Sequence, residues 1–226
     1  MNEVVLKEAL TASYAAGALD PALRLLMETQ AAIRTTARAE LDAADALAGA
    51  ILERQAPAAL HADSLASVMA SIDAPPVPGE KPPGGAEQQA ARAAGGLIDE
   101  ILRLPRPLHD VALNAIGHGG WMFAGPGLRT LALPIRSDSR TELLRIEPGW
   151  GAPRHTHTGL ELTLIMTGGF KDRRGRFGPG DIVVSGPEIT HNPVADKGDV
   201  CYALAVTEGS LSFTGAFGLL QRFWRQ

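Results

Sequence analysis

One stretch constrains this chain more than any other: Gly149-Trp150-Gly151-Ala152-Pro153-Arg154-His155-Thr156-His157-Thr158-Gly159-Leu160-Glu161. His155 and His157 are two apart, so an extended strand points both rings to one face, and Glu161 keeps that parity if the strand continues. A fourth metal-capable side chain, His191, lies beyond the turn Gly178-Pro179-Gly180-Asp181 and the apolar run Ile182-Val183-Val184, which reads as a returning strand. Three imidazoles and a carboxylate suit a borderline divalent cation. Zinc is the first choice, and iron, manganese or nickel stay open.

The spacing resembles the first motif of the cupin family: Gly, five residues, His-x-His, three residues, Glu, six residues, Gly. It is met in full by Gly149, His155, His157, Glu161 and Gly168. The second cupin motif is met more loosely, because Gly180 and Pro187 precede His191 but Ile189 stands where a Gly is usual and the Pro-to-His spacing is one residue short. The resemblance implies a C-terminal all-β, double-stranded β-helix (jelly-roll) barrel that holds one divalent metal through His155, His157, Glu161 and His191. Trp150, just before the ligand strand, is placed at the pocket.

The rest of the chain divides in two by pattern. Leu6, Leu10 and Tyr14 recur every four residues and mark a first helix that Gly17 closes; Asp20-Pro21 then supplies an N-cap and a first-turn proline for a second. Helical periodicity continues from Ala31 to Gln55, and a short helix follows near 63–72. Residues 1–72 therefore read as an all-α bundle of about four helices buried through Leu10, Leu23, Leu26, Leu41, Leu47 and Ile51. Residues 73–104 form a linker and a short helix; five prolines within nine residues stiffen its first part while its glycines soften its end, so the two bodies can move relative to one another. From 105 to 226 the pattern changes to short strands between turns: 128–135, 141–146, 160–166, 169–172, 182–185, 201–207 and 211–213. The fold class is α+β in two domains.

Composition closes off several functions. The net charge is -4, with 14 acidic and 8 basic residues up to Leu104 and 11 and 13 after it, so there is no basic stripe for nucleic acid, and the acidic helical part suits a basic partner. A single cysteine, Cys201, excludes an internal disulfide and fits a reducing compartment. It reads as a buried hydrophobe, and His61, His109 and His118 read as surface or helix-end residues. No signal-like segment and no run of ~20 apolar residues is present, which points to a cytoplasmic protein without membrane attachment.

A helical half joined by a linker to a single cupin resembles the ChrR family of anti-sigma factors, over nearly the whole chain. The resemblance is carried by Tyr14-Ala15-Ala16-Gly17-Ala18-Leu19, by Leu104-Pro105-x-Pro107-Leu108, by Trp121 with Gly125-Pro126-Gly127, and by His155, His157, Glu161 and His191. It implies a helical half that binds an extracytoplasmic-function sigma factor, and a zinc-binding cupin needed for a response to oxidative stress. One departure is large. The family's helical half binds its own zinc, but counted from the Tyr14–Gly17 anchor those places hold Gln30, Arg34 and Ala37, and the first 60 residues contain no His or Cys. The alternatives are a cupin metalloenzyme, such as a metal-dependent dioxygenase, or a small-molecule sensor without catalysis. The barrel edges leave a homodimer open.

Overall fold

The computed structural model describes residues 3–73, 96–209 and 211–213. Most of the expected linker lies outside them.

The helices begin as the sequence dictates. α1 (Glu3–Ala15) ends where Gly17 takes φ +70, with the Gly17 and Ala18 N–H groups donating to the carbonyls of Tyr14 and Ser13. α2 (Pro21–Ile33) is capped by Asp20, whose carboxylate accepts from the N–H of Ala22 at 2.8 Å and of Leu23 at 3.4 Å. That same oxygen accepts from Ser137 Oγ at 2.9 Å, which pins the start of the helix to the segment before the strand at Arg140–Ile146. The helical stretch expected from Ala31 to Gln55 is interrupted at Arg34 (φ -115, ψ 119), where α2 ends and α3 (Thr35–Leu52) begins. The break costs little: the Arg34 N–H still donates to Gln30, and its carbonyl accepts from Arg38.

The bundle is smaller than the periodicity suggests. Leu26 and Leu41 are buried and Leu10 and Leu23 partly so, but Leu47 and Ile51 are 65% and 55% exposed, and α4 (Ser64–Asp73) buries none of its residues. Three packed helices cannot enclose every apolar position of α3, so one side of it stays open. The two regions also meet, because Ala22 and Leu26 belong to the same buried cluster as Leu162, Leu164 and Leu204 of the β-sheet. α2 is a wall of the sheet's own core.

After α5 (Gly96–Leu102), the Leu104–Leu108 segment forms a 3-10 turn at Arg106–Leu108 and leads into α6 (His109–His118), a helix the strand-dominated reading passed over. Its buried Ala112 and Ala115 follow Leu108 at spacings of four and three, a helical stripe against the sheet. His109 Nε2 donates to the Leu104 carbonyl at 2.7 Å and closes the entry.

Eleven strands are described, all paired antiparallel: β1 (Met122–Gly125), β2 (Leu128–Ala132), β3 (Arg140–Ile146), β4 (His155–His157), β5 (Glu161–Thr167), β6 (Phe170–Asp172), β7 (Gly175–Phe177), β8 (Ile182–Ser185), β9 (Val194–Ala195), β10 (Cys201–Thr207) and β11 (Leu211–Phe213). A six-stranded sheet runs β1-β2-β3-β10-β5-β8, and a three-stranded β7-β6-β9 and a two-stranded β11-β4 complete the cupin barrel. β5 and β10 are buried on both faces, which is why they read as unbroken apolar runs rather than as alternating ones. One face meets α2; the other lines the barrel.

Candidate metal centre

Alternation along β4 sets the first two side chains. His155 and His157 are buried while Thr156 between them is half-buried on the opposite side, as a two-residue repeat requires. Thr156 is used there, since its Oγ1 donates to the carbonyls of Pro187 at 2.9 Å and Ile189 at 3.1 Å. It thereby tethers the loop that carries His191, where the second cupin motif departs from the usual pattern. His191 is fixed further by a backbone bridge to His155, each N–H donating to the other's carbonyl at 3.0 Å. Glu161 opens β5 between Ser185 of β8 and Thr207 of β10.

All four side chains are buried, and one donor atom from each lies within 4.8 Å of the others. His157 Nε2 and His191 Nε2 are 3.1 Å apart, and Glu161 Oε1 stands 3.4 Å from the former and 4.0 Å from the latter. The His155 Nδ1–H donates to the Pro153 carbonyl at 2.7 Å, which sets the tautomer in which Nε2 of that ring is the acceptor nitrogen. Thr163 and Thr207 donate to the two Glu161 oxygens at 3.1 and 3.2 Å, so the carboxylate is aimed from both sides.

Burial drives every member toward its neutral form. Desolvation lowers the affinity of His155 and His157 for a proton, and takes His191 down to about 3, where the neighbouring imidazoles and Arg174 add to the effect. It raises the Glu161 carboxyl, against the pull of His155 and the two threonines. At neutral pH the three rings are therefore unprotonated bases, the form that ligates. Two facing imidazole nitrogens at 3.1 Å cannot both accept a proton, and the buried His157 Nδ1 has no hydrogen-bond partner. A cation taking the converging lone pairs answers the first of these tensions, and the residues fit a divalent ion. Such an ion would supply Lewis acidity there.

Behind His191 lies a second set that the sequence reading did not single out. The buried Asp172 carboxylate is 4.0 Å from His191 Nδ1; Arg174 Nη2, 2.6 Å from that carboxylate, also reaches Ser185 Oγ at 3.2 Å. Burial alone would raise the Asp172 carboxyl, but hydrogen bonds and charge from Arg174 hold it below the usual carboxylate range. The signal was present in alternation along β6, which turns Phe170 and Asp172 to one side.

His155, Glu161 and His191 form one wall of a cavity of about 500 Å³ whose other walls include Leu128, Leu144, Ile146, Phe170 and Val183. Trp150 is not among its lining residues. It is 52% exposed and lies over Gly127 (φ +65), where a Cβ would come within 2.2 Å of the indole. Cys201 is fully buried, and burial pushes its thiol up to about 12, which makes it an inert core residue. At the places counted for the family's helical zinc, Gln30 and Arg34 reach toward the barrel and Ala37 is buried.

Comparison with known proteins agrees with this architecture. A family model described as the ChrR cupin-like domain matches residues 115–211. Anti-sigma-E factor ChrR of Cereibacter sphaeroides is 38% identical over 219 residues, covering 96% of this chain and 96% of that protein. The crystal structure of Rhodobacter sphaeroides SigE in complex with the anti-sigma ChrR matches with a TM-score of 0.64 at 38% identity, covering 88% of this chain and 96% of that one. Because the likeness runs through the helices as well as the barrel, the chain belongs to the ChrR family.

Proposed function

We propose that this chain is a cytoplasmic anti-sigma factor whose helical segment, near residues 1–72, holds a sigma factor, and whose cupin, from about 105 onward, makes that hold responsive to oxidative stress through one metal ion. The observation that carries the reading is the near full-length similarity to ChrR, helical part included, at an identity that similarity of barrels alone does not require. The open side of the bundle supports it. α1 and α3 flank a groove of about 1350 Å³ lined by Val4, Leu47, Ile51 and Leu52, with Glu8, Glu40 and Asp45 at hand. An apolar floor with acidic residues about it suits a helix of a partner that carries basic flanks.

The four cupin residues are assigned as ligands, with zinc as the ion, on the strength of the imidazole-rich donor set. The test is co-expression with the extracytoplasmic-function sigma factor encoded nearest to this chain, followed by size-exclusion chromatography at low and high salt with a chelator present. A stable complex that weakens as salt rises is expected. No complex under any of these conditions would overturn the assignment.

A further inference from the structure

The turn before β8 meets the helical segment through polar groups. Gln30 Nε2 donates to the Gly180 carbonyl at 2.9 Å, Arg34 Nη2 donates to Asp181 Oδ1 at 2.6 Å, and Arg34 Nε and Nη2 face the Pro179 carbonyl at 3.4 and 3.3 Å. Both backbones are shaped for this contact. The extended conformation of Arg34 between α2 and α3 sends its side chain off the helix axis toward the turn. Opposite it Gly180 takes φ +85, which favours glycine, and a Cβ there would lie 2.3 Å from Arg34 Nε, so a larger residue would strain the turn and displace the guanidinium stem. Asp181 is preset, because its second oxygen accepts from the Gly178 N–H at 2.7 Å.

The turn is also the root of a strand that touches the metal centre. β8 runs from Ile182 to Ser185; Ser185 pairs with Glu161, and its Oγ is 3.5 Å from His191 Nδ1. Apolar contact continues beside the polar one, where Leu10 and Met27 share a small cavity with Leu162, Ile182 and Val184.

We propose that Gln30, Arg34, Gly180 and Asp181 form a clasp: an interaction surface of the cupin whose occupant is this chain's own α2–α3 junction, and through which the helical segment and β8 respond together. The charge of a partly exposed ion pair contributes little by itself; what distinguishes this one is the fork of donors laid over a turn whose positive φ favours glycine. The clasp gives the sheet a handle on the helices that the proposed function assigns to the partner, and its role in releasing that partner rests on the anti-sigma reading. The contact itself is tested on the chain alone.

The experiment is amide hydrogen exchange on the full-length protein. Arg34→Ala removes the fork and leaves the turn's internal hydrogen bonds in place, so exchange should quicken by about fivefold both at 30–38 and at 182–185. Gly180→Ala acts from the cupin side without deleting a polar atom, and should loosen 30–38 as well. Asp181→Asn keeps an acceptor for Gly178 and should give a smaller effect of the same sign. The combined Arg34→Ala/Gly180→Ala variant should add little to either single change, because one contact cannot be broken twice. Quickening confined to the mutated element, or full additivity, overturns the clasp. Coupled exchange in a chain that captures no sigma factor would uphold the clasp and overturn only the proposed function.

Discussion

His155 and His191 face each other across an antiparallel bridge in which each backbone N–H donates to the other's carbonyl at 3.0 Å, and their ring centroids are 4.4 Å apart. Main-chain hydrogen bonds hold these two residues against each other, so the frame of the candidate centre belongs to the barrel itself, unlike a small finger that folds around its metal.

His155→Ala or His191→Ala should accordingly abolish metal binding and leave the strands intact. Elemental analysis should find about one divalent ion per wild-type chain and next to none in either variant. The far-ultraviolet spectrum should be unchanged. The unfolding free energy should fall by about the binding free energy that the lost ion contributed. Loss of strand structure in the variants, or on chelation of the wild type, would contradict this account.

A second test concerns the contact between α5 and the sheet. Glu100 accepts from Arg145 Nε at 3.0 Å and from the Tyr202 hydroxyl, and the Arg145 hydrogen bond holds its carboxyl below the usual range. A carboxylate lowered on folding contributes stability that is fully present above its unfolded pKa and lost as the pH falls through the folded one. Acid should therefore loosen α5 below the ordinary carboxylate range, and Glu100→Gln should abolish that part of the pH dependence. The substitution should cost about 1–2 kcal/mol at neutral pH, less than a fully buried charged hydrogen bond, because Glu147 still pairs with Arg145. Denaturation curves at neutral and acid pH measure both effects.

The four centre residues were legible because spacing on a strand is geometry: a repeat of two fixes the face whatever surrounds it. The strands were legible for the same reason, since β8 and β10 fall at the expected residues. The parts that were not legible depend on what the chain meets in space. Leu47 and Ile51 carry the same periodicity as Leu41, and nothing local says that only Leu41 finds a neighbouring helix. Trp150 is adjacent to the ligand strand in sequence, yet the turn at Gly127 gives it a seat outside the cavity. The packing of α2 on the sheet was hidden by the proline-rich segment, whose composition says that two regions are joined and nothing about whether they touch.

That packing is open to a core substitution. Leu26 is fully buried in the cluster that also holds Leu162, Leu164 and Leu204, with Trp121 packed against its edge. Leu26→Ala should cost about 2–5 kcal/mol, the range for a large-to-small change in a close-packed core. Because the cluster is shared, the loss should appear equally in a helix-sensitive signal and in tryptophan emission, as one transition shifted to lower temperature. Two separate transitions, only one of them shifted, would mean that the helices and the barrel have separate cores.

The same core decides what holds the helices together without a metal of their own. No His or Cys stands in the first 60 residues, and a structural zinc in a small peptide contributes roughly 10 kcal/mol or more of folding energy. Here Ala22 and Leu26 of α2 are buried against the barrel, while Met27, Ala31 and Leu41 form a second cluster within the helices. Each fully buried large side chain contributes roughly 1.5–3 kcal/mol, so these few account for only part of such a sum, and the sheet beneath α2 must supply the rest. Full-length protein in excess chelator should therefore keep its helical signal and lose at most the stability linked to the cupin ion. A fragment ending near 73 lacks the sheet and should be markedly less helical per residue than the same segment in the whole chain. Circular dichroism of the two, with and without chelator, separates these contributions; a fragment as helical and as stable as the full chain would show that the bundle stands on its own.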